Sequence, residues 1–238
     1  MAKPTPAEAT KAKTVTIKGR LSFPSFTHTE AVARARRSTI PAIASKPDDK
    51  IGPEFNVLIE QDQLDKLKNH IENVFIPYVE AQAAAGEKRD VLDPKVIKKI
   101  QTKLGDEDWD GAPHLPMKPI DPKYQDNTPE CVASVKVTGR AGSSTKLLAK
   151  VTEEDQLDPL DPDVLSFPVI KPINETVFDM YPGAYVAVTL NLYAFNSSTS
   201  VNGISAGGDA CVYLGDLEGE RIGGGGGGVD EDAIFMLD

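Results

Sequence analysis

The chain has 238 residues, 40% of them hydrophobic and 26% charged, and a formal net charge of -10. That length and apolar content suffice for one domain with a real core. No apolar run approaches the roughly 18 residues of a membrane span, and Met1-Ala2-Lys3-Pro4-Thr5 lacks the apolar centre of a signal peptide, so a soluble cytoplasmic protein without a membrane partner is expected.

Residues 1–13, rich in Ala, Thr, Pro and Lys without periodicity, read as a disordered basic arm. Order is expected from Thr14, where Val15, Ile17 and Leu21 alternate with Thr16, Lys18, Arg20 and Ser22. That is a strand with one buried and one basic face, and Gly19 would permit the bend a small barrel needs. Phe23 shares the buried parity, whereas Phe26, beyond the strand, is expected to face a groove. The segment 26–52 reads as an irregular basic loop, and Phe55–Glu60 as a second strand, apolar on both faces.

Two helices follow. Asp62 is a plausible cap for Leu64, Leu67, Ile71, Val74, Phe75 and Tyr78 at helical spacing, with Pro77 kinking or ending the run. The second has firmer punctuation: Asp93 caps, Pro94 opens, Val96, Ile97, Ile100 and Leu104 form the stripe, and Gly105 stops it. A proline-rich loop with the single tryptophan, Trp109, runs from Asp106 to Pro129.

The remainder reads as β. Ala133, Val135 and Val137 point inward on one strand, and Lys146–Val151 is expected to return antiparallel after the Ala141-Gly142-Ser143-Ser144 turn. From Ala184 to Phe195, Val186, Val188, Leu190, Leu192 and Ala194 alternate with Tyr185, Ala187, Thr189, Asn191, Tyr193 and Phe195. Asn202-Gly203 reads as a turn and Asp209–Leu214 as the last strand. The fold class expected is mainly β with a helical insertion (α+β), a small Greek-key barrel.

No catalytic or metal constellation stands out, and no cofactor is expected. His28, His70 and His114 lie apart with no cysteine at ligand spacing. Cys131 and Cys211 each sit in an apolar run and are expected to be buried, reduced thiols. The Gly139–Lys146 segment lacks the Gly-Lys-Ser/Thr ending of a phosphate loop. The acids of Glu153–Asp163 have neither the central glycine nor the closing glutamate of a calcium loop.

Charge is segregated, and its position matters more than its sum. Between Lys11 and Lys50 nine bases face three acids, and Cys131–Val151 carries four bases and no acid. Single-stranded nucleic acid is held by cations along its phosphates and by rings on which bases stack. The outward residues fit that need: Lys18, Arg20, Lys136, Arg140, Lys146 and Lys150 with the loop cluster Arg34, Arg36 and Arg37, and Phe26, Tyr185, Tyr193 and Phe195 as rings.

Gly19-Arg20-Leu21-Ser22-Phe23-Pro24, Phe55-Asn56-Val57-Leu58-Ile59, Tyr181-Pro182-Gly183-Ala184-Tyr185-Val186, Asn191-Leu192-Tyr193-Ala194-Phe195 and Asn202-Gly203-Ile204-Ser205-Ala206, in that order, resemble the tailed-bacteriophage single-stranded DNA-binding proteins. The resemblance covers about residues 14–60 and 165–238. It implies an OB-fold-like five-stranded barrel over 14–222, with the helical insertion at about 62–105. It also implies a protein that coats single-stranded DNA without sequence preference during phage replication or recombination in the infected host. The region 85–125 is longer than the family leads one to expect. A phage structural or assembly protein with a β-rich body is the alternative reading, and a metal-dependent nuclease a weaker one.

Residues 223–238 form a glycine leash, Gly223–Gly228, and an acidic tail with Asp230, Glu231, Asp232 and Phe235. A leash of this length spans about 14 Å root-mean-square. The resemblance implies that such a tail competes with DNA and recruits replication partners such as a polymerase, helicase or primase. Phe235 is followed by Met236, Leu237 and Asp238, whereas tails of that family commonly finish at or beside an aromatic residue.

Overall fold

Strand β1 (Thr14–Ser25) divides its pairing between two neighbours: Thr14–Arg20 run antiparallel to β7 (Tyr185–Asn196), and Arg20–Ser25 to β2 (Glu54–Ile59). In this computed structural model, β2 then pairs with β4 (Ala133–Thr138). β4 meets β8 (Asn202–Gly207) in parallel at Thr138 and Gly207, and β8 pairs with β7. The five strands close in the order β1-β2-β4-β8-β7 and back to β1, an OB-fold-like barrel. The structure describes residues 4–106, 109, 111–122, 128–151, 169–176, 180–196 and 202–215. The acids of 153–163, the glycine leash, the tail with Asp230, Glu231, Asp232 and Phe235, and the side chain of Phe23 lie outside that description.

Gly19 is where β1 passes from one partner to the other. A Cβ there would sit 2.1 Å from Leu58 O and 2.9 Å from Val57 Cγ1, so the bend expected at this position rests on an absent side chain. The alternation of β1 holds up to that point: Val15 and Ile17 are buried, Thr16 and Lys18 exposed. Beyond it the parity breaks, because β1 is flanked on both edges. Arg20 and Ser22, expected outward, are buried. Pro24, which has no N–H to donate, falls in the register shift between Ser22 and Ser25.

β8 and β9 (Ala210–Gly215) together form one long edge along β7, interrupted around Gly208-Asp209. β5 (Lys146–Val151) lies parallel to β9 and antiparallel to β6 (Val169–Pro172). The expected β4–β5 hairpin is therefore not formed. Both strands run parallel to the β8–β9 edge, and 139–145 is an excursion between them, turning at Gly142, whose φ is 71°. Asn202-Gly203 opens β8 rather than forming a turn. A further short strand, β3 (Met117–Pro119), pairs with β4 inside the segment expected to be a loop.

Six α-helices, α1 to α6, are present among the described residues, three of them unanticipated. α1 (Pro6–Lys13) replaces the expected disorder of the arm, and α2 (His28–Arg36) and α3 (Pro41–Ala44) replace the expected loop. Both α1 and α2 start at capping boxes, in which Thr5 exchanges hydrogen bonds with Glu8 and Thr27 with Glu30. The Glu30 carboxylate also accepts the Phe26 N–H at 2.9 Å, and Phe26, expected to face a groove, is buried against Phe55 with ring centroids 5.4 Å apart.

α4 (Gln61–His70) begins one residue earlier than Asp62 and does not stop at Pro77. It widens into a π-turn over Ile71–Phe75, where Ile76 N–H donates to Ile71 O, and continues as α5 (Ile76–Ala84). The wider turn admits the proline, which lacks a donor of its own. α6 (Pro94–Gly105) matches its expected cap and stop, with Asp93 accepting the Lys95 N–H at 2.8 Å. Leu64, Leu67, Ile71, Phe75, Val79, Ile97 and Ile100 pack into the core formed by Ile17, Phe55, Val57, Val135, Val186, Val188 and Leu190. Cys131 and Cys211 are free and buried, and burial pushes both thiols up to about 12.

If closure depends on Gly19, Gly19→Ala should destabilise by about 1–3 kcal/mol through overpacking. Gly105→Ala, with nothing within 4 Å of its Cβ position, should be near neutral. Urea unfolding of the two variants against the parent measures the difference.

Candidate nucleic-acid interface

The outward row of β7 carries Tyr185, Ala187, Thr189, Asn191, Tyr193 and Phe195, and its two ends lie in different surroundings. At about 3.4 Å per residue, Tyr185 and Tyr193 are about 27 Å apart along the strand. At the Tyr185 end, Arg20 is 8% exposed and its Nε donates to Glu130 Oε1 at 3.0 Å. Tyr185 itself has a raised pKa, through burial first and then through Glu60 and Asp62. This end is acidic, with Arg20 buried and Tyr185 half-buried beside Glu60 and Asp62. Lys18 is exposed, opposite Ala187, and its backbone N–H donates to Gln63 Oε1.

The other end is open and cationic. Tyr193 is 37% exposed, Phe195 is half-buried, and their ring centroids lie 6.5 Å apart. His114 adds a third ring, 5.8 Å from Phe195. Beyond Thr138 and Gly207, β4 and β8 part, and the segment His114–Pro119 fills the gap between them. His114 N–H donates to Asn202 O at 2.9 Å, Ile204 N–H to His114 O at 2.9 Å, and Lys136 N–H to Pro116 O at 2.9 Å. Gly203 is required by this approach, since a Cβ there would lie 2.2 Å from His114 O. The loop before His114 is pinned by Lys103, whose ammonium donates to the carbonyls of Gly111 and Pro113.

The charge around the rings is readable in His114. Its pKa is lowered by burial first and then by Lys118, Lys136 and Lys103. Three cations thus already act on one half-buried imidazole. Lys136 is exposed on β4 and ion-paired with Glu54 at 2.9 Å. Arg140 is exposed and, with Thr138, Asn191, Tyr193, Gly207 and Asp209, lines a shallow cavity of about 280 Å³. The order across the face is Arg140, Tyr193, Phe195, His114 and Lys118, with Lys136 alongside.

Lys146 and Lys150 lie on β5 in the sheet extension, opposite Ala210 and Ile170 respectively, and the Lys146 N–H donates to Asp209 O at 2.8 Å. Arg34, Arg36 and Arg37 lie at the end of α2, and Arg34 and Arg37 share a cavity lining with Glu54 of β2 and Lys136 of β4. Arg36 is engaged with Ala44 O and the Asp48 carboxylate. Sequence reasoning missed His114 and Lys118. Their role comes from the bridge between His114 and Gly203, 89 positions apart, which no local pattern announces. Among the described residues no group of three His, Cys, Asp or Glu side chains could hold a metal ion, and no helix is long and apolar enough to cross a membrane.

The ring-bearing end of β7 lacks β1 as a neighbour, because β1 pairing stops at Asn191. Asp90 takes that place. It adopts a left-handed backbone, φ 52°, accepts the Ala194 N–H through Oδ1 at 3.2 Å and pairs with Lys13 through Oδ2 at 2.7 Å. Asn196 adds a side-chain donation to Val91 O at 2.8 Å.

The fold is an OB-fold-like barrel with a ring-and-cation face, and its structure is similar to those of phage single-stranded DNA-binding proteins. One is the single-stranded DNA-binding protein from bacteriophage Enc34 in complex with ssDNA, at 13% identity and a TM-score of 0.47, with 88% of this chain and 90% of that chain covered. A further structure of the single-stranded DNA-binding protein from bacteriophage Enc34 gives 14% identity and a TM-score of 0.46, covering 94% of this chain and 91% of that chain. Gp2.5, a single-stranded DNA-binding protein encoded by bacteriophage T7, gives 9% identity and a TM-score of 0.44, covering 86% and 93%. No protein-family model and no curated protein matches the sequence.

Asp90→Ala should cost about 1–3 kcal/mol by orphaning the Ala194 N–H and should speed amide exchange at Ala194. Asp90→Asn keeps an acceptor and tolerates positive φ, so exchange there should stay slow. Hydrogen exchange read by NMR separates the two.

Proposed function

We propose that this protein binds single-stranded DNA without sequence preference on the β7–β8–β4 face. One observation carries the reading: Tyr193, Phe195 and His114 form a contiguous set of rings flanked by Lys118, Lys136 and Arg140. Rings accept any base and cations follow any phosphate, so this combination suits a strand and discriminates little among sequences. The exposed Lys136–Glu54 pair is worth little in water, and a phosphate can replace Glu54 at small cost. The fuller form of the reading is coating of exposed strands during phage replication or recombination in the infected host, supported by the sequence resemblance. Asp230, Glu231 and Asp232 then contend with DNA for the cations, and Phe235 serves replication partners, supported by the segregation of charge along the chain.

Oligothymidine titration by fluorescence anisotropy tests the reading. With three cations engaged, log affinity should fall against log salt with a slope of about -2, at about 0.7 per contact. Tyr193→Ala or Phe195→Ala should weaken binding by about 1–3 kcal/mol without altering that slope. DNA phosphates near Lys118 and Lys136 should raise the lowered pKa of His114. Affinity is then flat well above the ordinary histidine range, rises as pH falls through the pKa of the complex, and levels off below that of the free protein. His114→Gln should abolish that rise. Removing everything after Gly228 should tighten binding at low salt. A parent protein that fails to bind, or variants at Tyr193 and Phe195 that bind like it, would refute the proposal.

A further inference from the structure

A larger cavity, about 600 Å³, lies between the α2–α3 hairpin and the strands β2 and β4. Its volume falls in the usual range for small-ligand sites. Its lining combines apolar carbon, from Ala31, Ala35 and Ile43, with cations, from Arg34, Arg37 and Lys46. Lys136 and Glu54 stand at its edge, so the same lysine that acts on His114 also borders this cavity. The two sites are joined through one side chain.

Two further observations bear on what the cavity takes. Ile40 and Ile43 are 54% and 42% exposed, large apolar side chains on a hairpin otherwise rich in bases. In addition, the three arginines at the end of α2 differ in placement. Arg36 is turned to Ala44 O and Asp48; Arg34 and Arg37 line the cavity, and Arg37 Nε also donates to Ala33 O at 3.2 Å. A lining that is half apolar and half guanidinium matches a nucleotide unit, with sugar and base against aliphatic carbon and the phosphate on arginine forks. Simple cation attraction would not need the apolar half.

We infer that this cavity is a second subsite that takes one nucleotide of the bound strand, its phosphate on Arg34, Arg37 and Lys46. The strand leaves the rings, crosses Lys136 and continues onto the α2–α3 hairpin. This rests on the single-stranded DNA reading above and adds a direction to it. One further phosphate brings the salt slope of the parent protein from about -2 to about -3, at about 0.7 per phosphate contact.

The test compares salt slopes for oligothymidine with Arg34→Ala, Arg37→Ala and Arg36→Ala, with urea unfolding as a check on folding. Arg34→Ala and Arg37→Ala should each lower the slope magnitude, by up to about 0.7 because they share one phosphate, while Arg36→Ala leaves it unchanged. Ile43→Glu, a substitution at an exposed position, should weaken binding by at least about tenfold by placing a carboxylate where sugar and base pack and within reach of the cations that hold the phosphate. Parent-like slopes for Arg34→Ala and Arg37→Ala, or an equal loss for Arg36→Ala, would overturn the subsite while leaving the ring face standing. A parent protein that does not bind oligothymidine overturns both.

Discussion

The barrel depends on one strand serving two neighbours. β1 can pass from β7 to β2 because Gly19 places hydrogen, not carbon, against Leu58 O. This crossing fixes the character of the face. It flanks Arg20 on both sides and drives it into an ion pair with Glu130, which buries that cation at the Tyr185 end of β7. At the other end β1 pairing stops at Asn191, because β1 begins at Thr14 directly after α1, and the last residues of β7 take their outer partner from Asp90 and α1. Rings therefore stand at the end of the strand that the barrel leaves accessible.

Magnitudes decide which cations are available to a phosphate. Arg20 and Lys136 are both ion-paired, at 3.0 Å and 2.9 Å. Arg20 has a side chain 9% exposed, and removing its partner would leave a charge in poor contact with water. Lys136 is 45% exposed, its pair contributes at most about 1 kcal/mol, and exchange of Glu54 for a phosphate is nearly free. The net charge of -10 does not oppose this. At physiological salt, fields between exposed charges fade over about 8 Å, so the local excess of lysine and arginine governs.

Much of the frame was legible because its signals are local. The alternation of β7 and the Asp93, Pro94 and Gly105 punctuation of α6 survive almost unchanged. The capping boxes Thr5–Glu8 and Thr27–Glu30 are equally local signals, present in the sequence at the starts of α1 and α2, where composition alone suggests disorder and loop. What was illegible is non-local. β4 and β5 flank a convincing turn, yet each finds its partner in the β8–β9 edge. Phe26, beyond the strand, is expected from sequence to face a groove, but the α2 cap beside it turns it inward onto Phe55. Half of the ring platform was legible as Tyr193 and Phe195, and half, His114 with Lys118, exists only because a distant loop bridges to Gly203.

The central claim is the location of the strand, and photo-crosslinking measures it directly. Oligothymidine carrying 5-iodouracil, irradiated with the full-length protein and mapped by peptide mass spectrometry, should attach to Tyr193, Phe195 and His114. Attachment concentrated instead at Tyr185 and the β1 face would place the strand on the opposite end of β7 and contradict the account.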